Sequence, residues 1–428
     1  MKLVGIDIGK HKHFVSIVDK LTGEIILQPV AFSNNAQGFE FLISQIALYP
    51  VDSVLIGMED TGHYHFALLR FLLQKNYNVA LINPKTTDLN RRMDGGITKN
   101  DKLDTLNICD ILSSNKLKKP YRLTSSKKFD LYEQKQLTRF HHSLKEQINV
   151  LSNRLQKCID LVFPEYNALF KSKYGKVYMS ILKQFGSAKA IAQADIRTLR
   201  KCFDITGRGN RISLTAEKLK ESAKTSVGIS SLADEMQIKH LIAHIELLND
   251  QLKEIDKKIE EFSTDLNSPI ISVPGISHFS GTSILAEYGD IFNYSKPSKI
   301  IKAAGVAPFH YESSQYEAKH SAITKQGSSY LRKTLYQVIV PVIRFNKVFK
   351  DYYDLKRSQG KSHRCAQGHC IRKLLRVIYH LVTTNQQFDA SLLRLKENET
   401  VFKKVYSIGC FRHAQKHKSY SHFKDLTY

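Results

Sequence analysis

The chain has 428 residues, 42% of them hydrophobic, and carries 64 Lys and Arg against 40 Asp and Glu, a formal net charge of +24. This length allows two or three domains with cores of their own, and the hydrophobic content excludes wholesale disorder. The charge predicts a polyanionic partner, with nucleic acid first and an acidic membrane surface second.

No apolar run approaches the roughly 20 residues that span a bilayer, and a strand rather than a signal peptide follows Met1. We therefore expect a cytoplasmic protein that is not embedded in a membrane. The six cysteines form no Cys-x-x-Cys pair, which favours reduced thiols. The His363, Cys365, His369 and Cys370 group does not have the spacing of common zinc ligands.

Residues 2–9 are predicted to form a buried strand with an acid in its middle. A buried carboxylate is costly unless a cation or a partner compensates it, so Asp7 is the first candidate site residue. Gly9 allows a tight turn, and the apolar stretch to Val18 predicts an antiparallel return. This order of strand, acid, glycine, turn and strand opens ribonuclease H-like folds, and also actin-like ATPases and sugar kinases.

Strands and helices then alternate, which predicts an α/β domain over residues 1–115. Predicted strands cover 25–32, 51–58 and 79–82, and predicted helices cover 38–47, 66–75 and 99–112. The strand, helix, strand order implies parallel pairing through a crossover. The polar segment 86–98 is interpreted as a mobile connector.

Residues 116–266 are predicted to be a helical, coiled-coil region. Apolar residues recur at spacings of three and four over 128–163 and, as a clean heptad seam, over 238–262. The two helices form either an antiparallel hairpin or a seam shared with a second copy of the chain. The mixed, basic segment 168–228 predicts only short helices.

Residues 267–390 are predicted to be a mainly helical C-terminal domain. A short apolar turn around Gly275 resembles half of a helix-hairpin-helix, whose backbone amides can meet a phosphate. Long helices over 329–345 and 364–384 pair an apolar face with Arg and Lys. The basic tail, 391–428, has few acids and is expected to be flexible until bound.

Four acids stand where the metal site of a ribonuclease H-like fold needs them. Asp7 lies in the first strand, Glu59 follows a later strand, and Asp101 and Asp104 share one helical face. Such carboxylates repel one another unless cations lie between them, and hard oxygen ligands favour Mg²⁺ or Mn²⁺. The alternative is that Asp101 and Asp104 cap a helix and Glu59 ends a strand in solvent.

Histidines and serines give weaker signals. His11, His13, His63 and His65 flank the acids and could contact phosphate or move a proton, although such histidines are more often on the surface. By spacing alone, Ser313 and Ser314 do not differ from ordinary loop serines.

Motifs at both ends of the chain occur in one order. The N-terminal set is G-I-D-I-G-K at 5–10, M-E-D-T-G-H-Y at 58–64 and K-N-D-K-L-D at 99–104. The C-terminal set is V-P-G-I at 273–276, L-A-E-Y-G-D at 285–290, A-G-V-A-P at 304–308, I-T-K-Q-G at 323–327 and G-K-S-H at 360–363 before R-K-L-L at 372–375. Together they resemble the insertion-sequence transposases related to Piv-type DNA invertases.

The resemblance implies a RuvC-like N-terminal domain and a DNA recombinase that excises and inserts its own mobile element. It implies that Asp7, Glu59, Asp101 and Asp104 bind divalent metal. Asp60 stands where the family usually has a small residue, which leaves open which acid of the 59–60 pair faces the metal.

The resemblance further implies that Ser313 is a nucleophile that links transiently to DNA. The family usually has Ser-Gly at this point, so a shift of one residue would choose Ser314 instead. DNA, a structured guide RNA, and assembly as dimers and tetramers are the implied partners.

Three other functions are alternatives to a DNA recombinase. The nearest is a metal-dependent endonuclease of the junction-resolvase type, without a covalent intermediate. An actin-like ATPase would need a second Asp-x-Gly phosphate loop and a Gly-rich adenosine site, neither of which is convincing here. A non-catalytic nucleic-acid-binding scaffold would tolerate loss of all four acids.

Overall fold

A computed structural model describes residues 1–60, 62–93, 100–114, 121–124, 129, 131–204, 214–229, 231–309, 312–313, 316–317 and 322–393. The chain divides into two compact units, Met1–Glu133 and Gln134–Tyr428. Ser314 and residues 394–428 of the predicted tail lie outside the described residues. Within the described part, no helix is long and apolar enough to cross a membrane.

The N-terminal unit is built on a mixed sheet with the order β3-β2-β1-β4-β5-β6 in its described part. Its strands are β1 (Lys2–Asp7), β2 (Lys12–Asp19), β3 (Ile25–Ser33), β4 (Val54–Glu59), β5 (Asn78–Ile82) and β6 (Tyr121–Thr124). β1 to β3 pair antiparallel, as the predicted hairpin requires, whereas β4 runs parallel to both β1 and β5. β6 adds an antiparallel edge on β5 that the sequence analysis did not predict. The predicted α/β fold is confirmed.

In the described part of this unit, four helices lie on the two faces of the sheet. They are α1 (Ala36–Ile46), α2 (Phe66–Gln74), α3 (Pro84–Met93) and α4 (Asp101–Ser113). Because side chains alternate along a strand, Val4 and Ile6 pack with the α1 and α2 side, whereas Leu3 packs with Ile108 and Leu112 of α4. Each fully buried aliphatic side chain contributes about 1.5–3 kcal/mol.

Two glycines let α4 approach the sheet closely. Gly5 of β1 pairs in register with Gly57 of β4, so both lie side by side under the helix. A Cβ on Gly5 would lie 2.0 Å from the backbone oxygen of Thr105, and a Cβ on Gly57 would lie 2.8 Å from Cγ2 of Ile108. A larger residue at position 5 would overlap the backbone of α4, and one at position 57 would overlap the side chains of Ile108 and Leu112.

The predicted connector over 86–98 is wrong in its first part, because Pro84–Met93 is helical. Asn83 Oδ1 accepts a hydrogen bond from the backbone N–H of Lys85 at 2.9 Å, and Pro84 occupies the first turn, where its fixed φ suits a helix. The buried residues of α3 are Thr87 and Asn90. Since its buried face is polar, α3 has no apolar period to reveal it. Residues 94–99 lie outside the described part.

The C-terminal unit is helical around two long helices, α5 (Tyr132–Val162) and α11 (Leu232–Leu266). Leu144 from the first half of α5 packs with Leu252 and Ile259 from the second half of α11. Farther along, Leu155 belongs to the same core cluster as Ile238. The seam is therefore an antiparallel pairing within one chain, as one of the two predicted alternatives requires.

Shorter elements lie between the two long helices in the sequence and after the second one. Between them lie α6 (Tyr166–Leu169), α7 (Lys176–Phe185), α8 (Ala188–Gln193), α9 (Ile196–Phe203) and α10 (Ala216–Lys224). After them come α12 (His278–Tyr288), α13 (Pro297–Ala303), the short strands β7 (Glu312–Ser313) and β8 (Tyr316–Glu317), α14 (Ser329–Phe345), α15 (Lys347–Ser358) and α16 (His363–Thr384). The sequence analysis missed α15, whose start is capped by Asn346 accepting from the N–H of Val348 at 3.0 Å.

Replacing Gly5 by Ala is expected to destabilise the N-terminal unit by roughly 1–3 kcal/mol, because the new methyl group would overlap Thr105. Urea unfolding of the full chain measures this loss. Gly175→Ala is the matched control, since its nearest neighbour would lie at 3.9 Å. Equal stability of the two variants would contradict the close approach of α4.

Candidate active site

Two of the predicted acids lie side by side at the carboxyl ends of neighbouring parallel strands. Asp7 is the last residue of β1 and Glu59 is the last residue of β4. The parallel register pairs Ile6 with Met58, so one residue further along Asp7 lies beside Glu59. Side chains two residues apart on a strand lie on the same face of the sheet, so Asp7 and Glu59 lie on the face of Gly5 and Gly57. Their carboxylates therefore project towards α4.

A third acid reaches the same end of the sheet from α4. Since Thr105 lies against Gly5, the first turn of α4 lies near the end of β1. Asp104 in that turn is 8% exposed, whereas Asp101 is exposed. The structure thus gathers Asp7, Glu59 and Asp104 on one face, with Asp101 at the outer edge of the group. The side chain of Asn100 caps this helix by accepting from the N–H of Lys102 at 3.0 Å.

Residues of α3 contact two of these acids. The Thr87 hydroxyl hydrogen-bonds to the Glu59 carboxylate, and Nη2 of Arg91 lies 3.3 Å from Oδ1 of Asp104. Neither residue is predicted from the sequence. The only signal for them is their spacing of four in a polar segment, which becomes informative once that segment is known to be helical.

Asp60 is directed away from the other acids. Its Oδ1 lies 3.4 Å from Nε2 of His65, and its backbone N–H donates to the carbonyl of Ile82 at 2.9 Å. This placement favours Glu59 over Asp60 as the partner of Asp7.

The flanking histidines divide into two groups. His13 and His65 are fully buried, so the expectation of a surface position is wrong for them, while His11 and His63 are exposed. Nδ1 of His13 accepts the backbone N–H of Gly9 at 3.2 Å, and this contact supports the turn after Asp7. His13 therefore has a structural position under the site.

The donor set fits a divalent cation in kind, because carboxylate oxygens are the ligands that Mg²⁺ and Mn²⁺ prefer. In the part of the chain that the structure describes, however, no three His, Cys, Asp or Glu side chains are arranged to hold a metal ion. As they stand, Glu59 contacts Thr87 and Asp104 contacts Arg91.

The predicted serine lies on a β-hairpin of the C-terminal unit. Ser313 ends β7 and pairs with Tyr316 of β8. Backbone hydrogen bonds also join the segments on either side of this strand pair: Phe309 N–H donates to Ala322 at 2.7 Å, and Thr324 N–H donates to Ala307 at 3.0 Å. Ser313 therefore lies in the short strand pair β7–β8.

An ion pair with a buried carboxylate ties α5 to α12 in the same unit. The Glu287 side chain is 1% exposed and accepts from Nε and Nη2 of Arg139 at 2.6 and 3.0 Å. Burial raises the pKa of Glu287, but the Arg139 hydrogen bonds and the charge of Lys135 outweigh burial and lower it overall. The arginine also lies over the ring of Tyr330, 4.9 Å from its centroid.

A histidine continues this polar network to α14. Nε2 of His142 and the Ser283 hydroxyl each lie 3.0 Å from the Thr334 hydroxyl. Burial, followed by the charge of Lys333, lowers the pKa of His142 to about 4. The helices α12 and α14 are therefore joined to α5 by a neutral histidine, His142, and by the Glu287–Arg139 ion pair.

Comparisons with known proteins identify matching family models and similar solved structures. Residues 4–164 match a model described as a transposase of the DEDD, IS110 type, and residues 267–354 match one described as Transposase IS116/IS110/IS902 family. The complex of T. thermophilus RuvC with a Holliday junction substrate is similar over 29% of this chain and 99% of that chain, at 12% identity and a TM-score of 0.21. No curated protein matches.

We expect the protein to lose stability as the pH falls from about 6.5 towards 4, in part through His142. In this window the unfolded chain binds a proton that the folded one does not, so the free energy of unfolding decreases with falling pH, by at most about 1.4 kcal/mol per pH unit for one histidine. Urea unfolding at several pH values measures this slope. His142→Gln should flatten it, whereas the exposed control His240→Gln should not. Equal slopes for His142→Gln and the wild type would contradict the assignment.

Proposed function

Because the chain belongs to the IS116/IS110/IS902 family of insertion-sequence transposases, we propose that it excises and inserts a mobile DNA element by phosphodiester strand transfer. The observation that supports this proposal is that β1 and β4 pair in parallel up to Asp7 and Glu59, while the contact of Thr105 with Gly5 brings the first turn of α4, with Asp104, to the same end of the sheet.

Asp7, Glu59 and Asp104, with Asp101 at their edge, would hold the divalent cation, Mg²⁺ or Mn²⁺. When bound, such ions polarise a phosphodiester and stabilise the charge of an in-line displacement. The protein supplies the rigid placement of the acids: Asp7 and Glu59 are set by the parallel register of β1 and β4, and Asp104 by the contact of α4 with Gly5.

Ser313 would be the nucleophile, with Ser314 as the alternative if the family register shifts by one residue. Its oxygen forms a bond to phosphorus while the bond from phosphorus to a deoxyribose oxygen breaks, and the leaving oxygen takes up a proton. A strand hydroxyl then attacks the phosphoserine, reforming a phosphodiester and returning the proton to serine. The two steps conserve bond energy, so no ATP is needed.

DNA and a structured guide RNA are the proposed partners, and a dimer or tetramer the proposed assembly. The basic character of the C-terminal helices supports a nucleic-acid partner. Their exposed cations include Lys347, Arg357, Lys361, Arg364 and Arg376. The acids can come from one chain and the serine from the same chain or from another copy.

Asp7→Asn is expected to reduce DNA strand cleavage by about 10³-fold or more, because one ligand carboxylate is lost at the centre of the acid group. Nucleic-acid binding should remain. Cleavage of labelled element ends measures the first effect and a mobility shift the second, with Asp52→Asn as an exposed acid away from the group. Undiminished cleavage by Asp7→Asn would remove the acids from the reaction.

Ser313→Ala is expected to abolish the covalent protein–DNA adduct that survives denaturation, while leaving DNA binding unchanged. Ser314→Ala, tested in parallel, decides the register of the nucleophile. Loss of the adduct in Ser314→Ala alone would move the assignment by one residue. No adduct with the wild type, together with metal-dependent cleavage, would instead indicate a hydrolytic endonuclease of the junction-resolvase type.

A further inference from the structure

One face of α3 contacts the acid group through two residues. Thr87 and Arg91 are four residues apart, so their side chains lie on the same side of the helix. The Thr87 hydroxyl contacts Glu59, and the Arg91 guanidinium contacts Asp104 at 3.3 Å. The side chains of this second pair are only 20% and 11% exposed, so water screens the contact weakly.

A separate polar network fixes α3 on α4 in this position. Nδ2 of the buried Asn90 donates to Oδ1 of Asn107 at 2.8 Å and to Oδ2 of Asp110 at 2.9 Å. Nδ2 of Asn107 in turn donates to the backbone carbonyl of Thr87 at 3.0 Å. Because a buried amide is costly without its hydrogen bonds, this network favours one position of α3 on α4.

We propose that α3 is a positioning element for the divalent-metal centre, in which Thr87 and Arg91 act in opposite directions. Thr87 orients the Glu59 carboxylate through its hydroxyl, which lies within hydrogen-bonding distance of that carboxylate and 2.9 Å from the carbonyl oxygen of Pro84. Arg91 supplies a positive charge to Asp104, and a cation must displace this charge to bind there. The inference rests on the proposed function, since it concerns the same acids.

Arg91 also accounts for the side-chain arrangement of the acid group. The acids come together by strand register and helix contact, yet they do not form a closed set of three metal ligands among the described residues. A guanidinium held against Asp104 relieves the repulsion between neighbouring carboxylates. The guanidinium also repels an incoming divalent cation. Binding of the cation at Asp104 therefore requires that Arg91 move away.

The test is the affinity of the full chain for Mn²⁺, measured by titration calorimetry without DNA. Thr87→Val is expected to weaken binding about tenfold, and Thr87→Ser, which keeps the hydroxyl, should restore it. Arg91→Gln is expected to tighten binding about tenfold, because the competing charge is lost. Arg91→Lys keeps the charge and should bind as the wild type does.

Arg92→Gln is the matched control, because it removes the same charge from the same helix. Arg92 is 74% exposed and pairs with Asp88 at 3.0 Å on the surface, so its loss should leave Mn²⁺ affinity nearly unchanged. General loss of structure would weaken binding in every variant, whereas the proposal requires opposite signs. Thermal unfolding without metal checks that each variant is folded. If Arg91→Gln fails this check, Arg91→Met removes the same charge.

Two results would overturn the inference: Arg91→Gln binding Mn²⁺ no more tightly than Arg92→Gln, or Thr87→Val binding as tightly as the wild type. A wild-type chain that binds no Mn²⁺ would contradict the proposed metal centre itself. The two failures are therefore distinguishable.

Discussion

The packing of α4 against β1 and β4 is the constraint on which the N-terminal site depends. It requires Gly5 and Gly57 to be adjacent in register, since a Cβ at either position would overlap the helix. The parallel register also places Asp7 beside Glu59, and the helix contact brings Asp104 to the same end. One packing arrangement thus gathers acids that lie almost 100 residues apart in the sequence.

The negative charges of these acids repel one another, and neighbouring side chains of α3 offset part of that repulsion. Carboxylates at one end of a sheet repel one another, and burial of Asp104 increases that cost. Arg91 and Thr87 meet this need from α3. The same side chains contact the carboxylates that are proposed to bind a divalent cation, which links the stability of the site to its proposed chemistry.

Much of this site follows from the sequence because strand ends and helix starts are recognisable. The burial pattern of β1 predicted Asp7, and the spacing of Asp101 and Asp104 predicted one helical face. The polar buried face of α3 and the burial of His13 and His65 were not predictable, since both depend on tertiary neighbours. The heptad seam predicted a helix pair but left open whether the partner lies in the same chain or in a second copy, and Phe140 within its spacing is exposed. Ser313 came from the family resemblance alone, and its place in the strand pair β7–β8 needed the structure.

The most direct test of the account is anomalous X-ray diffraction from crystals of the protein grown with Mn²⁺. The account predicts a Mn²⁺ peak within coordinating distance, about 2.0–2.3 Å, of oxygens from Asp7, Glu59 and Asp104, with Arg91 withdrawn from Asp104. A peak bound elsewhere on the chain, with Asp104 still held by Arg91, would contradict it.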